Sequence, residues 1–499
     1  MIEATSVLLR KAMRTLVRCM EDDVIGSSRG GVVRVGCAQL PARGVDDALL
    51  ALHDIERAIG RAATRHADVL VLPECSYPGY VLMRSDPYSA HIPSAAQALR
   101  RIGRAARRAG VCVAIGIARA DSSGRLRNEA VFLDRRGQER AHYAKIHLWN
   151  FDRRWFRAGD AVEPFDTEFG RLGMMICADG RVPEIARRLS AGGAWLILDP
   201  TAWVSCGENY GAMPNPQVEF MLSVRARENA VWIAAADKCG SEMSAVHYVG
   251  RSMVVDPSGR TCAMASADRP ELIVVEAARR KTRAISCPLS IGERARLARR
   301  RPAGAHERPH RARLSAAEGL TCRIGIYQPA SRRVADWSQA RRVLTAQGAA
   351  ATLNAGAGQA QIMRALRTLK GLRFSALVGQ EMLAPEPARA AALGGADAVV
   401  WVAPPAKCDV RAFARTRAVE NRIFVIVCAT ARDLKPACVI GPDGSVLAAA
   451  LAKAPSGFVA AIDPGAARDK VVTWGTDVIG RPRHAVRPAV SKFVGTLYR

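Results

Sequence analysis

Short apolar runs alternate with segments of helical periodicity along the first half of the chain. The runs have the length of buried strands and fall at 32–41, 68–74, 111–118, 172–176, 195–203 and 230–236. Between them, Leu52, Ile55 and Ile59 are spaced as the buried face of a helix, and further helices are predicted at 95–109 and 218–229. Because an uninterrupted apolar strand must be covered on both faces, the pattern predicts an α/β domain with a largely central sheet.

A β-hairpin interrupts this alternation. Its strands are predicted around 128–133 and 140–147, and the segment Asp134–Gly137 supplies the turn. The second strand ends in the segment Lys145–Leu148, so a lysine is expected at the end of the hairpin.

A tight strand-to-helix turn is predicted at Cys177. The apolar run 172–176 ends there, and Pro183 and Glu184 suit the start of the following helix. Such an elbow exposes a side chain beside backbone N–H groups and a helix N-terminus, which favour a thiolate and a developing oxyanion. A nucleophile for acyl transfer belongs at this place. The alternative is that Cys177 is one more small, buried apolar residue, as most unpaired cysteines are.

Four stretches of the first half recur in the second half in the same order. The pairs are Arg34–Gln39 with Arg323–Gln328, Ile176–Arg187 with Val378–Arg389, Arg225–Asn229 with Arg417–Asn421, and Pro257–Gly259 with Pro442–Gly444. In this register Gly379 stands where the first half has Cys177, and neither Glu74 nor the hairpin of Lys145 has a counterpart. The second half is therefore predicted to be a degenerate copy without an active site of its own.

The length of the chain allows more than one domain. With 499 residues, 49% of them hydrophobic and 24% charged, the chain can form two or three globular domains. The segment Arg279–Arg313 is rich in arginine and has no strand pattern, which indicates a connector. The predicted parts are an N-terminal extension at 1–30, a catalytic domain at 31–278, a basic connector at 279–320 and a shortened, non-catalytic domain at 321–499.

The net charge of +27 is the unusual bulk property of the chain. A nucleic acid or an anionic membrane would be attracted by it, whereas the alternative is a solvated surface rich in arginine. Only 5% of the residues are aromatic and no nucleic-acid-binding motif is present, so the second interpretation is favoured and no nucleic-acid partner is expected. No window approaches 18 uncharged apolar residues, which predicts no membrane span.

The thirteen cysteines are scattered and include no C-x-x-C pair. This usage favours a reducing compartment, the cytoplasm, over a disulfide framework or a zinc site. His142 and His147 lack metal-ligand spacing with any cysteine or acid, so neither a metal nor another cofactor is expected.

Glu74, Lys145 and Cys177 each end a predicted strand or hairpin of the first domain. Ligands gather at the carboxyl ends of strands in a parallel-rich sheet, so these distant residues can converge. A carboxylate can take the thiol proton while the thiolate attacks carbon, and an ammonium with an elbow N–H can stabilise the tetrahedral oxyanion. The types therefore suit hydrolysis of a C–N bond. Taken singly, the acid and the lysine could equally be solvated surface residues.

These residues resemble the carbon–nitrogen hydrolase (nitrilase) superfamily. The similarity is carried by Leu70–Glu74, Lys145–Leu148, Gly173–Asp179 and Arg225–Asn229, in family order and spacing. It covers about residues 32–305, and the second half as a decayed copy. The resemblance implies a four-layer α-β-β-α sandwich in tandem with a degenerate second copy, with Glu74 as general base, Lys145 as oxyanion stabiliser and Cys177 as nucleophile.

Departures from the family pattern refine this picture. Many members carry a further glutamate where this chain has Asp152, which would be a shortened supporting residue. Nitrile-hydrolysing members usually show Cys-Trp-Glu, whereas the sequence Cys-Ala-Asp from Cys177 favours an amidase or carbamoylase. Arg181 falls where carbamoyl amino acid hydrolases and ω-amidase-like members place an arginine that can bind a substrate carboxylate. The alternative for Arg181 is a structural ion pair with Glu184 or another acid.

Aromatic residues near strand ends are candidates for the walls of the pocket, although such residues more often belong to the core. The candidates are Tyr77, Trp203 and Tyr248. Members of the family commonly form dimers, so the second half is predicted to act as an intramolecular pseudo-subunit, with a homo-oligomer as the other possibility.

The function predicted from the sequence is a thiol-dependent, cofactor-free amidohydrolase acting on a small linear amide or N-carbamoyl amine. The rival function is a non-catalytic tandem protein that binds an anionic polymer through its basic connector.

Overall fold

A computed structural model gives the architecture. It describes residues 31–82, 86–89, 91–150, 152–205, 215–244, 246–279, 284–286, 322–329, 337–357, 359–366, 369, 371–403, 409–429, 436–451, 454–473 and 476–477. The predicted N-terminal extension at 1–30 and most of the predicted connector at 279–320 lie outside this part of the chain. The domain boundaries given above therefore stay predictions.

The first half consists of alternating strands and helices. Its strands are β1 (Val32–Pro41), β2 (Val69–Val71), β3 (Cys112–Ala120), β4 (Leu126–Leu133), β5 (Glu139–Ala144), β6 (Phe165–Thr167), β7 (Gly170–Met174), β8 (Leu196–Pro200), β9 (Val204–Ser205), β10 (Trp232–Ala236), β11 (Lys238–Cys239), β12 (Ser241–Glu242), β13 (Val246–Tyr248), β14 (Met253–Val255), β15 (Thr261–Met264) and β16 (Glu271–Ala278). Its helices are α1 (Ala48–Thr64), α2 (Ala95–Ala109), α3 (Asp152–Trp155), α4 (Pro183–Ala191) and α5 (Leu222–Asn229), with 3₁₀ turns at Val45–Asp47 and Cys177–Arg181 and a π-turn at Gln217–Met221.

Two sheets pack face to face. One has seven strands in the order β11-β1-β2-β3-β4-β5, with β16 paired to β1, and the other has six in the order β15-β14-β10-β8-β7-β6. Apolar residues of both sheets, such as Val71 and Leu198, form one core with residues of α4 and α5. On the outer face of the first sheet, Leu70 packs with residues of α1 and α2. The layers therefore run helix, sheet, sheet, helix, which confirms the four-layer α-β-β-α sandwich.

Parallel pairing gives each of the two sheets an edge of strand ends, and the two edges meet where the Glu74 amide donates to the Thr201 carbonyl at 3.1 Å. Strand β2 is parallel to β1 and β3, and β8 is parallel to β7 and β10. Glu74 follows the end of β2, and Cys177 follows the end of β7. Gly116 on β3 permits close approach, because a Cβ there would lie 2.4 Å from the Glu74 Cα.

The second half repeats the order of these elements in shortened form. Its strands are β17 (Cys322–Gln328), β18 (Ala351–Asn354), β19 (Phe374–Val378), β20 (Ala398–Val402), β21 (Phe424–Cys428), β22 (Cys438–Ile440), β23 (Val446–Ala449), β24 (Ser456–Ile462), β25 (Val471–Thr473) and β26 (Thr476–Asp477). Its helices are α6 (Trp337–Ala346), α7 (Gln359–Leu366), α8 (Pro385–Leu393), α9 (Val410–Asn421) and α10 (Pro464–Arg468), with a 3₁₀ turn at Gly379–Leu383.

Two sheets of the second half match parts of the two large sheets of the first. A three-stranded sheet, β18-β17-β24, corresponds to β2-β1-β16, and a five-stranded sheet, β19 to β23, corresponds to β7, β8, β10, β14 and β15. Among the described residues between α7 and β19, nothing corresponds to β3, β4 and β5. The hairpin that carries Lys145 in the first half is therefore missing from the copy. None of the described helices is long and apolar enough to cross a bilayer.

The strand register shows which residues of the second half stand in the places of Glu74 and Cys177. Val69 pairs with Val35, and Ala351 pairs with the equivalent Ile324, so counting onward puts Gly356 where Glu74 stands. Gly379 begins the 3₁₀ turn Gly379–Leu383 with φ +61°, as Cys177 begins the turn Cys177–Arg181 with φ +48°. The copy keeps the backbone of the elbow without its nucleophile.

Candidate active site

Two carboxylates enclose the ammonium of Lys145. Its Nζ donates to Glu74 Oε1 at 2.6 Å and to Asp152 Oδ2 at 2.7 Å. Glu74 and Asp152 are 0% exposed and Lys145 is 1% exposed, so this ion-paired group is closed to bulk water. The hairpin end, the β2 end and the start of α3 thus meet at one point. Asp152, predicted as a supporting residue, contacts the lysine directly.

Burial, and the presence of two carboxylates beside one ammonium, determine the pKa values in this group. Burial disfavours the ammonium, but the charges of Asp152 and Glu74 hold the pKa of Lys145 well above its usual value. Burial raises the pKa of Glu74, and the charge of Asp152 adds to this against the opposing effect of Lys145. At neutral pH the lysine is therefore a fixed cation, and Glu74 is a stronger base than an exposed glutamate.

Three further groups orient the carboxylates. Asn128 Nδ2 donates to Glu74 Oε1 at 2.6 Å, Tyr80 Oη donates to Asp152 Oδ1 at 2.7 Å, and the Trp149 amide donates to Asp152 Oδ2 at 2.9 Å. The second oxygen of Glu74, Oε2, is buried and has no hydrogen-bond partner in the described part of the chain. That oxygen remains open to accept a proton.

Cys177 lies at the elbow predicted from the sequence. Its positive φ is uncommon for a non-glycine residue and is typical of a strained nucleophile turn. The Cys177 amide donates to Asp199 Oδ1 at 2.9 Å, and Sγ donates to the Ala202 carbonyl at 3.5 Å. The residue is 7% exposed, so a small part of it reaches the protein surface.

Burial opposes the thiolate that the helix N-terminus is expected to favour. Burial, and then the charge of Glu74, raise the pKa of Cys177 well above its usual value, and Lys145 only partly opposes them. The group is a neutral thiol until a base removes its proton. Cys177 Sγ donates to the Ala202 carbonyl and the Glu74 amide donates to the carbonyl of the adjacent Thr201 at 3.1 Å, so both residues contact one short segment, although no hydrogen bond joins Sγ to Glu74 or Lys145.

Asp179 links the end of the hairpin to the elbow. Its Oδ1 accepts from the His147 amide and lies 2.8 Å from His147 Nδ1, and its Oδ2 accepts from Tyr143 Oη at 2.8 Å. Burial opposes its ionisation, but the hydrogen bonds from His147 hold the pKa of Asp179 below its usual value. A charged Asp179 therefore ties the segment of Lys145 to the turn of Cys177.

Arg181 does not form the ion pair with Glu184 that was its structural alternative. Glu184 instead lies 3.1 Å from Arg389 of the second half. The Arg181 guanidinium stacks over Trp149 at 4.6 Å, and its Nε donates to Gln217 Oε1 at 3.2 Å. Burial lowers the pKa of Arg181 to about 10, and no carboxylate pairs with it in the described residues.

Comparison with known proteins decides the family. The family described as "Carbon-nitrogen hydrolase" matches residues 34–286 and again residues 335–470. This chain belongs to the carbon-nitrogen hydrolase family. The second match falls on the shortened half, which supports the duplication.

Several relatives of this carbon-nitrogen hydrolase have been named. A Pseudomonas protegens protein named "Hydrolase in pqqF 5'region" is 33% identical over 257 residues, which cover 50% of this chain and 85% of that protein. The deaminated glutathione amidase of Escherichia coli O157:H7 is 29% identical, with 48% and 89% covered, and human omega-amidase NIT2 is 27% identical, with 42% and 76% covered. A solved amidase from Nesterenkonia sp. is 28% identical, with a TM-score of 0.45, 50% of this chain and 92% of that chain covered. Hydrolysis of a carbon–nitrogen bond is the activity class of the family.

The three aromatic residues predicted to line the pocket of this carbon-nitrogen hydrolase lie at different positions relative to the site. Tyr77 does not reach the site, because it packs between the first sheet and its outer helices and its hydroxyl donates to the Pro93 carbonyl. Trp203 follows Ala202, the acceptor of the Cys177 thiol, but lies in the core between the sheets. Tyr248 contacts the edge of Tyr80 and donates to Glu242, so it supports the site from behind.

The site of this carbon-nitrogen hydrolase includes residues that were missed in the sequence. They are Tyr80, Asn128, Trp149, Asp199 and Gln217. Asp199 carried a signal, since it is a charged residue within a strand that is otherwise apolar, whereas Asn128 stands between Arg127 and Glu129 and carried none. Tyr80 and Gln217 lie on loops or helix starts where the sequence pattern gives no direction.

Proposed function

We propose that the first half of the chain is a thiol-dependent amidohydrolase that forms an acyl thioester on Cys177. The observation that carries this proposal is the buried Glu74–Lys145–Asp152 group beside a cysteine on a strained elbow. The family supports hydrolysis of a C–N bond, and the named amidases among the relatives support an amide as the bond.

Attack on the amide begins with proton transfer. Glu74 Oε2, which has no partner in the described residues, takes the proton of Cys177 as Sγ bonds to the carbonyl carbon. The negative charge moves to the carbonyl oxygen, where Lys145 Nζ stabilises it. The Cys177 amide is engaged with Asp199, so the next amide of the elbow, that of Ala178, is the backbone donor available for the oxyanion.

Breakdown of the tetrahedral intermediate uses the same proton. Glu74, now a carboxylic acid, protonates the leaving nitrogen, the C–N bond breaks, and ammonia or an amine departs. Glu74 then takes a proton from water, the hydroxide attacks the thioester, the C–S bond breaks, and the proton on Glu74 passes to the leaving Sγ. The products are a carboxylic acid, or a carbamic acid from a carbamoyl substrate, and the restored thiol.

Arg181 points to substrates that carry a carboxylate. The Arg181 guanidinium is half-buried and lacks an acidic partner among the described residues, so a ligand anion would compensate its charge. It is four residues from Cys177, and Trp149 fixes its plane. We therefore propose that the substrate is a small linear amide or N-carbamoyl amine whose far end is a carboxylate.

Replacement of Arg181 by glutamine should separate charged substrates from neutral ones. We expect kcat/KM for succinamate or N-carbamoylglycine to fall about 10- to 100-fold, mostly through KM, because a charge-assisted hydrogen bond contributes about 1.5–3 kcal/mol. For propionamide, which has no carboxylate, the change should stay within about threefold. Equal losses for both classes would contradict the assignment of Arg181 to the carboxylate.

Replacement of Asp152 by asparagine should move the acid limb of the pH profile to lower pH. Catalysis needs ionised Glu74, so kcat/KM is lost as the pH falls through the raised pKa of Glu74. The charge of Asp152 contributes to that raised pKa, and its removal also leaves Lys145 paired with Glu74 alone. As a control, asparagine at the exposed Asp166, which pairs with Arg171, should leave the limb in place. A limb that moved upward would contradict the proposed electrostatics.

Release of ammonia or amine tests the proposed function as a whole. The full chain would be incubated with succinamate, N-carbamoylglycine, N-carbamoylputrescine and propionamide, and the released nitrogen would be measured. Turnover of at least one compound supports the amidohydrolase. No turnover, together with binding of a nucleic acid that weakens steeply with salt, would instead support the rival binding function.

A further inference from the structure

The backbone of the elbow is held by a single helix. This interface helix, Gln217–Asn229, consists of the π-turn and α5. Gln217 Nε2 donates to the Cys177 carbonyl at 2.7 Å. Arg225 donates to the Gly180 carbonyl through Nε at 3.0 Å and to the Arg181 carbonyl through Nη2 at 3.2 Å. Three carbonyls of the turn that carries the nucleophile thus depend on two side chains of this helix.

The same helix is the contact surface with the second half. Arg225 Nη1 pairs with Glu228 at 2.7 Å, and its Nη2 pairs with Glu420 of α9. Arg417 of α9 pairs with Glu420 at 2.9 Å and with Glu228 at 2.5 Å. All four side chains are 0% exposed. Each arginine therefore holds one glutamate of each half, which is the reciprocal arrangement of a two-fold dimer interface inside one chain.

Neither half can satisfy these charges alone. A buried arginine needs its anions, because removal of one partner leaves a charge without water or compensation. Without the second half, Arg225 would keep only Glu228, which itself would have lost Arg417. Apolar contacts reinforce the pairing, since Val419 of α9 packs against Phe220 and Met221 of the interface helix.

A second set of ion pairs holds the helix that follows the elbow. Arg389 lies 3.1 Å from Glu184, and Glu386 lies 3.1 Å from Arg187. Both partners from the first half are on α4, and both from the second half are on α8. The degenerate half therefore contacts the nucleophile turn in two ways. It pairs with α4, the helix that follows the turn, and it pairs with Arg225.

We propose that the degenerate half is a positioning element for the nucleophile, and that Glu420 acts on the Cys177 turn through Arg225. This inference rests on the proposed function, because it assigns the turn a catalytic task. It accounts for what the second copy kept and what it lost. Glycines stand in the places of Cys177 and Glu74, yet Arg417–Asn421 matches Arg225–Asn229 and completes the shared network.

The pseudo-symmetry provides a matched control. Arg417 donates to the Met382 carbonyl at 3.0 Å and to the Leu383 carbonyl at 2.9 Å, as Arg225 does to the first turn. The turn that Arg417 holds begins with Gly379 and carries no nucleophile. Arg225→Lys and Arg417→Lys therefore disturb the same four-residue network and differ mainly in which turn is released.

The test compares these two variants in the full chain. Four quantities would be measured: the melting temperature, the rate of alkylation of Cys177 by iodoacetamide, and kcat and KM for the amide in the panel that is turned over fastest. We expect both variants to melt at a similarly reduced temperature. Arg225→Lys should lower kcat and the alkylation rate about 10- to 100-fold with little change in KM, because small displacements of a nucleophile have effects of this size. Arg417→Lys should stay within about threefold of the unmodified chain.

The outcomes separate this inference from the proposed function. Equal effects of the two variants on kcat and alkylation, or no effect of Arg225→Lys, would overturn the positioning role even if the chain is an amidase. If the unmodified chain turns over no amide but only Arg225→Lys slows alkylation, the positioning stands and the hydrolase proposal fails. If Arg225→Lys does not fold, Glu420→Gln, which preserves shape, should slow both rates about 5- to 10-fold, and unchanged rates would contradict the inference.

Discussion

Replacement of Cys177 by alanine should abolish amide hydrolysis while the fold is retained. Without Sγ no thioester forms, and the remaining groups can only polarise the amide for attack by water. We expect kcat to fall by a factor on the order of 10⁴ or more, to the background of the assay, as is usual when a nucleophile is removed. Released ammonia or amine measures the loss, and circular dichroism with a melting curve measures the fold.

Cys37 provides the matched control for this substitution. It is a fully buried thiol in the same core between the sheets, and burial likewise raises its pKa. Cys37→Ala removes the same atom from the same core but not from the elbow, so kcat should change less than about threefold. Full activity in Cys177→Ala, or equal loss in both variants, would show that the thiol of the elbow is not the nucleophile.

Replacement of Glu74 by glutamine should lower kcat about 10²- to 10⁴-fold, the range typical of a lost general base. Glutamine has nearly the same shape and can still meet Asn128 and Lys145, but it cannot take the thiol proton. Because burial keeps Cys177 protonated, the reaction has no other source of thiolate at neutral pH. The rate of ammonia release and the rate of Cys177 alkylation should fall together.

Glu129 is the control for Glu74, since it is a buried glutamate of the same sheet. It pairs with Arg119 at 2.6 Å and lies next to Asn128 on β4. Glu129→Gln should cost some stability and leave kcat within about threefold. If Glu74→Gln retained most of the activity, the thiol proton would have to leave by another route and the assigned role would be wrong.

Much of the fold and the centre of the site could be predicted because they depend on local pattern. Apolar runs bounded by helices dictate parallel strands, and parallel strands deliver their ends to one edge. Glu74 and Cys177 could therefore be placed from strand ends alone. Lys145 followed from the end of a hairpin, and the structure adds that it lies between Glu74 and Asp152.

The ionisation of the thiol could not be predicted, because it depends on burial that only the packed fold supplies. The elbow and its helix N-terminus favour a thiolate locally, yet removal of water around Cys177 and the charge of Glu74 outweigh them. The orientation of the three candidate wall residues could not be predicted for a similar reason. Tyr77, Trp203 and Tyr248 follow similar strand ends, and only tertiary packing directs each ring toward or away from the site.

The network between the halves was also hidden in the sequence. Arg225 and Glu228, like Arg417 and Glu420, are three residues apart, which predicts a pair within each helix. Those pairs form, but each arginine also forms an ion pair with the glutamate of the other half. A repeated motif indicates a duplication. It does not indicate that the two copies complete each other.

The most direct test of the central claim is the intact mass of the protein during turnover of an amide. Samples incubated with succinamate or N-carbamoylglycine would be quenched in acid, weighed by mass spectrometry and then mapped by peptide. We predict one adduct with the mass of the acyl or carbamoyl group, on the peptide that contains Cys177, and none in Cys177→Ala. The account would be contradicted if the amide were turned over and no adduct were found in either the unmodified chain or Glu74→Gln. An adduct on a different cysteine would also contradict it.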